Sequence, residues 1–272
     1  MPAHPTSLRF DRLLLTGAAG GLGRTLRPRL AAYCHRLRLS DIEDLGSAAP
    51  HEELCPARLE DADAVHALLK GVDAVVHLGG VSTEQAWAPI LRANIEGAFH
   101  LYEAARRHGV RRIVLASSNH VTGFYRQDEV ISPADPMRPD GLYGLSKAFG
   151  ENLARLYFDR HGIETVCLRI GSSFPEPRNR RMLATWLSYD DLERLVVASL
   201  TTPVAGFSVI YGVSDNTTSW WDNTAARHIG YRPQDSSEPF RATIEAAEPR
   251  LDMNDPATLF QGGPFARTTP AE

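Results

Sequence analysis

The chain has 272 residues, 43% of them hydrophobic, enough to bury the core of one large α/β domain or of a domain with a small lobe. Its formal net charge of −4 provides no polybasic face, which argues against nucleic acid and membrane surfaces as partners. The three cysteines are widely separated and suggest neither disulfides nor a metal site, and no apolar run has the length of a membrane span. We expect a cytoplasmic protein without a metal, in which residues 1–10 form a disordered tail.

The first predicted unit is a strand, a glycine turn and a helix. An apolar run at residues 12–16 leads into the spacing G-x-x-G-x-x-G, after which leucines recur at four-residue intervals. Glycines let the backbone turn sharply and approach a pyrophosphate, which then faces the helix N-terminus. We interpret the turn as a dinucleotide site, with a glycine-rich turn that binds no ligand as the alternative. The residues assigned to it are Gly17, Gly20, Gly21, Leu22 and Gly23.

Asp41 ends the second predicted strand, residues 36–40, and lies 18 residues after Gly23. A carboxylate at this position can accept both hydroxyls of the adenosine ribose and repels a 2′-phosphate. The pattern therefore favours NAD over NADP, and an ordinary surface aspartate is the alternative. Residues 46–57, which contain two prolines, are predicted to form a loop.

The next buried strand, residues 72–78, ends in Gly79 and Gly80. Two glycines at the carboxyl end of a strand permit close approach of the backbone, here to the cofactor's phosphates or its nicotinamide ribose. Ser82 follows them and is a candidate substrate contact. His77 lies on the strand itself, and we interpret it as a core histidine rather than as a catalyst.

A helix is predicted over residues 90–108, with Asn94 inside it. A buried asparagine needs hydrogen-bond partners, and it either braces the backbone or a water near the active site or serves as a structural amide. The strand at residues 112–116 then ends in four polar residues, 117–120. Open α/β sheets bind their ligands at the carboxyl ends of such strands.

Tyr143 and Lys147 lie four residues apart in the first turns of another predicted helix, so they share one face. An ammonium within a few ångströms favours the phenolate and lowers the pKa of tyrosine. The pair is therefore a candidate general base. The spacing alone is weak evidence, because it is also common on ordinary solvated helices.

Five predicted strands alternate with helices, the fifth at residues 165–170, and all deliver loops to one edge. This is the pattern of a doubly wound parallel sheet. The alternation breaks after Ser173, although residues 204–211 could add a sixth strand. We predict a cofactor-binding core over residues 11–173 and a small lobe, 174–272, interleaved with it.

The glycine turn, Asp41, Ser118, Tyr143 and Lys147 together resemble the extended short-chain dehydrogenase/reductase family over nearly all of residues 11–200. Within this family the chain looks most like the uronate dehydrogenases. The segments that carry the narrower resemblance are 117–120, 143–147, 169–172, 175–177, 181–183 and 260–263. The resemblance implies a Rossmann-type doubly wound sheet with a small C-terminal substrate-binding lobe. It also implies NAD-dependent oxidation of D-glucuronate or D-galacturonate at C1 to an aldarolactone.

The resemblance also implies roles for the site residues. Tyr143 would remove the proton of the C1 hydroxyl, Lys147 would lower the pKa of Tyr143 and hold the nicotinamide ribose, and Ser118 would hydrogen-bond the reacting oxygen. The residues that would surround the sugar hydroxyls are Ser82, Asn119, His120 and Ser172. Arg181 would bind the uronate carboxylate, and a planar guanidinium independently suits a carboxylate. A solvated basic loop is the alternative for Arg181, as we expect for its neighbours Arg178 and Arg180.

One position departs from the family pattern. The family usually has an aspartate at position 58 that reaches the adenine amino group, and Arg58 cannot accept that bond. Adenine would instead stack on the guanidinium or meet the backbone at Leu59. Beyond the glycine turn, the residues predicted to bind NAD are Asp41, Ile42, Arg58, Leu59, Leu78, Gly79, Gly80, Asn94, Tyr143, Lys147 and Ser173.

Two other functions fit the same fold. A sugar-nucleotide epimerase or dehydratase shares the turn and the serine, tyrosine and lysine, but only about 100 residues follow Ser173 to enclose a nucleotide diphosphate. A dehydratase would also need an acidic residue beside the serine, where this chain has Asn119 and His120. A non-catalytic NAD sensor is the third hypothesis, and the intact Tyr143 and Lys147 pair argues against it. Homo-oligomers are common among soluble enzymes, and we expect one here.

Overall fold

The structure is a computed structural model that describes residues 10–248 and 252–267. The predicted disordered tail falls outside the described residues except for Phe10, the first residue of the first strand. Among the described helices, none is long and apolar enough to cross a membrane.

Most of the strands belong to one parallel sheet, in the order β3-β2-β1-β4-β5-β6-β9. The strands are β1 Phe10–Thr16, β2 Cys34–Ser40, β3 Glu52–Leu54, β4 Ala74–His77, β5 Arg112–Ser118, β6 Glu164–Ile170, β7 Ser172–Ser173, β8 Trp186–Leu187 and β9 Phe207–Gly212. β7 and β8 pair separately as a short parallel ribbon. The chain runs outward from β1 to β3 and then returns to the other side of β1 as β4. This reversal of strand order opens a crevice at the carboxyl ends of β1 and β4, where α/β sheets bind their ligands.

Helices cover both faces of the sheet, which confirms the predicted doubly wound architecture. They are α1 Gly21–Leu30, α2 Ala62–Leu68, α3 Trp87–Ile90, α4 Gly97–His108, α5 Leu142–His161, α6 Met182–Thr185, α7 Tyr189–Thr201, α8 Arg241–Ala247 and α9 Pro256–Leu259. Side chains of β1 alternate between the faces, so Leu13 and Leu15 pack with residues of α1 and α7, whereas Leu14 packs with residues of α2 and α4.

The prediction of a continuous loop over residues 46–57 is wrong, because these residues contain β3 at the edge of the sheet. Two of its three residues are glutamates, so it lacks the apolar alternation that indicates a strand. Glu52 pairs with Arg27 at 2.6 Å, and Glu53 pairs with Arg38 at 2.8 Å. Ion pairs with distant parts of the chain therefore stabilise this edge strand, and a local pattern does not show them.

A buried ion pair joins α5 to the middle of the sheet. Arg169 on β6 donates to Glu151 on α5 through Nη2 at 2.9 Å and Nε at 3.0 Å, and both side chains are almost fully buried. Ser117 on β5 donates to the same carboxylate at 2.5 Å. Because removing one partner of a buried pair leaves an uncompensated charge, this contact fixes α5 relative to β5 and β6. It lies one turn beyond Lys147 and so positions that part of the helix.

Candidate active site

A cavity of about 800 Å³ extends along the carboxyl edge of the sheet, from the glycine turn to Arg181. The structure brings every predicted site residue to its lining except Arg58 and Asn94. The lining also includes residues that the sequence analysis missed, chiefly Phe174, Asn179, Met182, Tyr189, Gly262, Pro264 and Phe265. All of these come from the second half of the chain. Met182 and Gly262 lie within segments that carry the family resemblance, but the resemblance assigned no site role to them, and the other five lie outside those segments.

The glycine turn forms a backbone cradle. Gly17 has a left-handed φ of 69°, and a Cβ there would lie 2.7 Å from the amide nitrogen of Gly79. A side chain on Gly23 would collide with the carbonyl of Gly17, whereas Gly21 faces open space in the cavity. The first turn of α1 therefore exposes backbone amides at a helix N-terminus. This arrangement fits the pyrophosphate of a dinucleotide.

Asp41 connects the end of β2 to the glycine turn. Its Oδ2 accepts from the amide of Ala19 at 2.9 Å, and its Oδ1 accepts from Ile42 at 2.7 Å and Glu43 at 3.1 Å. The carboxylate lines the cavity beside the turn, as expected for a group that binds the adenosine ribose.

Arg58 does not lie with the adenine end of the cavity. Its side chain is 69% exposed and points to Glu60, with 3.4 Å between Nη1 and Oε1. The cavity is lined instead by Ala57, Leu59 and Glu60. The geometry therefore gives no support to adenine stacking on Arg58, and only the second expectation, a contact at Leu59, fits the lining.

Asn94 lies in a π-helical turn, Leu91–Glu96, between α3 and α4. Its Oδ1 accepts from the amide of Val81 at 2.8 Å, and its Nδ2 donates to the carbonyl of Val81 at 3.0 Å and to Oγ of Ser146 at 2.9 Å. Of the two alternatives, these contacts fit the brace: Asn94 holds the loop after β4 against α5.

His77 has the structural surroundings expected of a core histidine, because its Nδ1 hydrogen-bonds the hydroxyl of Thr16 at 2.7 Å and burial lowers its pKa to about 3.

Tyr143 and Lys147 lie beside Ser118, at the end of β5. The Nζ atom of Lys147 donates to the carbonyl of Ala116 at 2.9 Å and lies 5.6 Å from the centre of the Tyr143 ring. Burial raises the pKa of Tyr143 to about 12, although the Ser118 hydroxyl, as a hydrogen-bond partner, opposes the rise. Burial likewise lowers the pKa of Lys147 to about 8. The predicted lowering of the tyrosine pKa is not found, because desolvation of the phenolate outweighs the other contributions.

Glu84 caps the N-terminus of α5, a contact that the sequence analysis missed. Its Oε1 accepts from the amide of Leu142 and its Oε2 from the amide of Tyr143, each at 2.9 Å. Gly141, which precedes the helix, has no side chain to provide a cap, and a Cβ there would occupy the space of the Glu84 carboxylate. The missing capping residue at Gly141 was the only local signal that another segment must satisfy these amides.

Arg181 lies at the other end of the cavity, and among the described residues it hydrogen-bonds only neutral acceptors. Its Nε donates to the carbonyl of Gln261 at 2.7 Å, and its Nη1 donates to Oγ of Ser172 at 3.2 Å. Nη2 donates at 2.8 Å to the side-chain oxygen of Asn119, in the amide orientation that satisfies both ends of that group. Burial lowers the pKa of Arg181 to about 10, so the group stays charged at neutral pH, and the charge of Asp140 opposes the shift.

The two neighbouring arginines have other partners. Arg180 lies 3.5 Å from the carboxylate of Glu245, and Arg178 lies over the ring of Phe174 at 4.2 Å. Neither lines the cavity, whereas Arg181 does. Arg181 is therefore the one of these three arginines that faces the cavity.

Ser173 and Ser82 occupy different parts of the lining. The hydroxyl of Ser173 is buried and has no hydrogen-bond partner among the described residues, so it is available to a ligand. Ser82 is exposed at the rim. Ser172 is buried, and its hydroxyl is shared between Thr185 at 2.9 Å and Arg181.

The final described segment closes the cavity. Gln261 is fully buried, and its side chain accepts from Nε1 of Trp221 and donates to the carbonyls of Arg126 and Glu129, each at 2.9 Å. These bonds place the Gln261 carbonyl against Arg181. Phe265 follows it and stacks on the ring of His120 at 3.8 Å.

A parallel α/β sheet with a glycine cradle, a carboxylate just after its second strand and a serine, a tyrosine and a lysine in the same cavity is typical of a dinucleotide-dependent enzyme. Residues 13–199 match the model of the NAD dependent epimerase/dehydratase family, and the chain belongs to that family. The resemblance to extended short-chain dehydrogenases/reductases is thereby confirmed.

Individual relatives cover almost the whole chain. A uronate dehydrogenase from Pseudomonas putida is 59% identical over 97% of this chain and 99% of its own length. One from Agrobacterium fabrum is 52% identical over 94% of this chain and 97% of its own. A solved mutant uronate dehydrogenase from Agrobacterium tumefaciens, complexed with NAD, superposes with a TM-score of 0.94 at 50% identity, over 96% of this chain and 99% of that one.

Proposed function

We propose that this chain is an NAD-dependent uronate dehydrogenase, which oxidises C1 of D-glucuronate or D-galacturonate to the aldarolactone. The observation that carries the proposal is Arg181, a cation in the same cavity as Ser118 and Tyr143 whose hydrogen-bond partners within the described part of the chain are all neutral. A charged guanidinium in a partly desolvated site favours an anionic ligand, and a carboxylate matches its planar geometry.

The cofactor would be held by the glycine turn, by Asp41 at the ribose, and by Leu78, Gly79 and Gly80 at the end of β4. When bound, NAD supplies a hydride acceptor and a positively charged nicotinamide ring. A positive charge near the phenol of Tyr143 would favour its phenolate and would offset the rise that burial imposes on its pKa.

The reaction removes a hydride from C1 and a proton from the C1 hydroxyl, and the hemiacetal carbon becomes the lactone carbonyl. We assign acceptance of that proton to Oη of Tyr143 and a hydrogen bond to the same oxygen to Ser118. Lys147 holds a positive charge close to this phenol, and we assign it the contact with the nicotinamide ribose. General acid–base help of this kind contributes about 10²–10⁴-fold.

We propose that the sugar acid binds at the Arg181 end of the cavity, away from the glycine turn. We assign the carboxylate to Arg181 and the ring hydroxyls to Ser82, Asn119, His120 and Ser172. In this proposal residues 11–173 bind the cofactor and residues 174–272 contribute a small substrate lobe.

The purified protein mixed with NAD and D-glucuronate or D-galacturonate should produce NADH, measured by absorbance. The Tyr143→Phe variant should lose this turnover while its NAD affinity stays nearly unchanged, because the phenol oxygen is the proposed proton acceptor. Turnover of a UDP-sugar without any oxidation of the two sugar acids would instead support a sugar-nucleotide epimerase.

We also propose a cytoplasmic location and a homo-oligomeric assembly. Homo-oligomers are the common state of soluble enzymes. Light scattering coupled to size-exclusion chromatography measures the mass of the particle, and a mass of 30.0 kDa, that of one chain, would contradict the assembly.

A further inference from the structure

Asp140 is a buried carboxylate next to the proposed substrate site, and the proposed function gives it no task. It is 3% exposed and lies just before α5. Its Oδ2 hydrogen-bonds Nδ1 of His120 at 2.7 Å, and its backbone amide donates to the carbonyl of His120 at 3.3 Å. Its Oδ1 has no hydrogen-bond partner among the described residues. The contact with His120 is therefore the principal polar interaction of this side chain.

Glycines from three segments make room for this carboxylate. A Cβ on Gly123 or on Gly262 would overlap Oδ2 of Asp140, and a Cβ on Gly144 would lie 3.2 Å from Oδ1. The space that these three glycines leave around position 140 does not admit a longer side chain, but asparagine, which has the same shape as aspartate, fits. The position therefore accepts an aspartate or an asparagine, and these two differ in charge and in what they present to His120.

The ring of His120 is held on its other sides as well. Phe265 stacks on one face at 3.8 Å, and Tyr143 meets the ring edge-on at 5.8 Å. His120 lines the cavity, and its Nε2 has no hydrogen-bond partner among the described residues. Because an ionised carboxylate only accepts hydrogen bonds, the proton of a neutral His120 must lie on Nδ1. The remaining nitrogen, Nε2, is then an acceptor.

We propose that Asp140 is a positioning residue for substrate recognition, which keeps His120 protonated on Nδ1 so that Nε2 accepts a hydrogen bond from a hydroxyl of the sugar acid. This inference rests on the proposed function and deepens it. A site built to pair with a substrate hydroxyl discriminates strongly against ligands that cannot supply it, because its own polar group is then left without a partner. Asp140 thereby acts on specificity without touching the substrate.

The first measurement is independent of activity. Long-range proton–nitrogen spectra of ¹⁵N-histidine-labelled protein distinguish the two neutral tautomers, and the His120→Gln variant identifies the signals of His120. We expect the Nδ1-protonated form in the wild type and a shift to the Nε2-protonated form in Asp140→Asn, whose amide can donate to Nδ1. An Nε2-protonated His120 in the wild type would overturn the proposal even if uronate is oxidised.

The second measurement is a double-mutant cycle on kcat/KM for D-glucuronate and D-galacturonate. Asp140→Asn and His120→Gln should each lower kcat/KM by about 10–100-fold, mostly through KM, and the double variant should be no worse than His120→Gln alone. Additive losses would show that Asp140 acts on the fold rather than through His120 and would overturn the proposal.

Asp135→Asn, in the same loop, is the matched control and should leave kcat/KM unchanged, since among the described residues the Asp135 carboxylate accepts only from the amide and the hydroxyl of Ser132. If the wild type has the expected tautomer but oxidises neither sugar acid, the proposed function fails while the assignment of the tautomer stands. If Asp140→Asn does not fold, the wild-type spectrum alone decides the tautomer.

Discussion

The carboxylate of Glu84 accepts a hydrogen bond from the backbone amide of Tyr143 at 2.9 Å. An anion at this position satisfies two free amides of α5 and interacts favourably with the positive end of the helix dipole. It also links the loop after β4, which lines the cofactor end of the cavity, to the residue proposed to accept the proton. Glu84, together with Asn94, thus fixes the start of α5 relative to that loop.

Replacing Glu84 by glutamine should therefore lower both stability and turnover. One amide of α5 would face the NH₂ of the new side chain, so the free energy of unfolding should fall by about 1 kcal/mol. We expect kcat to fall about tenfold with little change in NAD affinity, because Tyr143 loses its fixed position. Urea unfolding and steady-state kinetics measure the two effects, with Gln85→Ala, at the exposed neighbouring position, as the control. A variant with normal kcat would contradict the positioning role.

Lys147 should make stability depend on pH in a characteristic way. Burial lowers its pKa from 10.5 to about 8, so below pH 8 the lysine is charged in both folded and unfolded chains and its desolvation cost is fully present. Between pH 8 and 10.5 the folded chain has lost that proton and the unfolded chain has not, so wild-type stability gains from this group as pH rises.

The Lys147→Met variant should consequently be more stable than the wild type at pH 7, by about 2 kcal/mol after allowance for partial exposure to the cavity. The advantage should shrink from pH 8 upward. Chemical denaturation at a series of pH values measures it. Lys70→Met removes the other lysine, which is exposed, and should show no such trend. A difference that is constant with pH would mean that Lys147 is not desolvated.

Arg181 should decide between acidic and neutral sugars. Arg181→Ala should raise KM for D-glucuronate or D-galacturonate by about 10–100-fold, since a charge-assisted pair in a desolvated site is lost. Activity toward D-glucose or D-galactose, which lack the carboxylate, should change much less. Arg178→Ala, in the same loop but outside the cavity lining, is the control. An equal loss on both kinds of sugar would indicate damage to the cavity rather than loss of carboxylate recognition.

Asp41 should control the choice of cofactor. Asp41→Ala removes the acceptor that holds the amides of Ala19, Ile42 and Glu43, so KM for NAD should rise about tenfold. The ratio of kcat/KM for NAD to that for NADP should also fall, because no carboxylate repels the 2′-phosphate. Asp44→Asn, an exposed loop aspartate, is the comparison. An unchanged ratio would remove Asp41 from cofactor selection.

The sequence predicts best what depends on local patterns. The glycine turn, Asp41, Ser118 and Tyr143 each follow a strand or begin a helix, and parallel topology brings such positions to one edge of the sheet. The family motifs add Arg181, which lies in a loop that no periodicity describes. These residues share one cavity in the structure.

Local sequence patterns do not predict contacts between distant segments. Glu84 lies 58 residues before Leu142, and Asp140 lies 20 residues after its partner His120, so no periodicity relates them. The raised pKa of Tyr143 depends on how completely the folded chain excludes water from the phenol, which residue spacing does not reveal. The edge strand β3 is held by arginines from other elements and was missed for the same reason.

The two ends of the proposed site are formed by residues that are synthesised at different times. The cradle at Gly17 and the carboxylate of Asp41 leave the ribosome first, whereas the Gln261 carbonyl that holds Arg181 and the Phe265 ring that covers His120 leave among the last described residues. Because a domain generally folds as a unit, the sugar-acid pocket lacks this wall until the C-terminal segment has been synthesised and has docked.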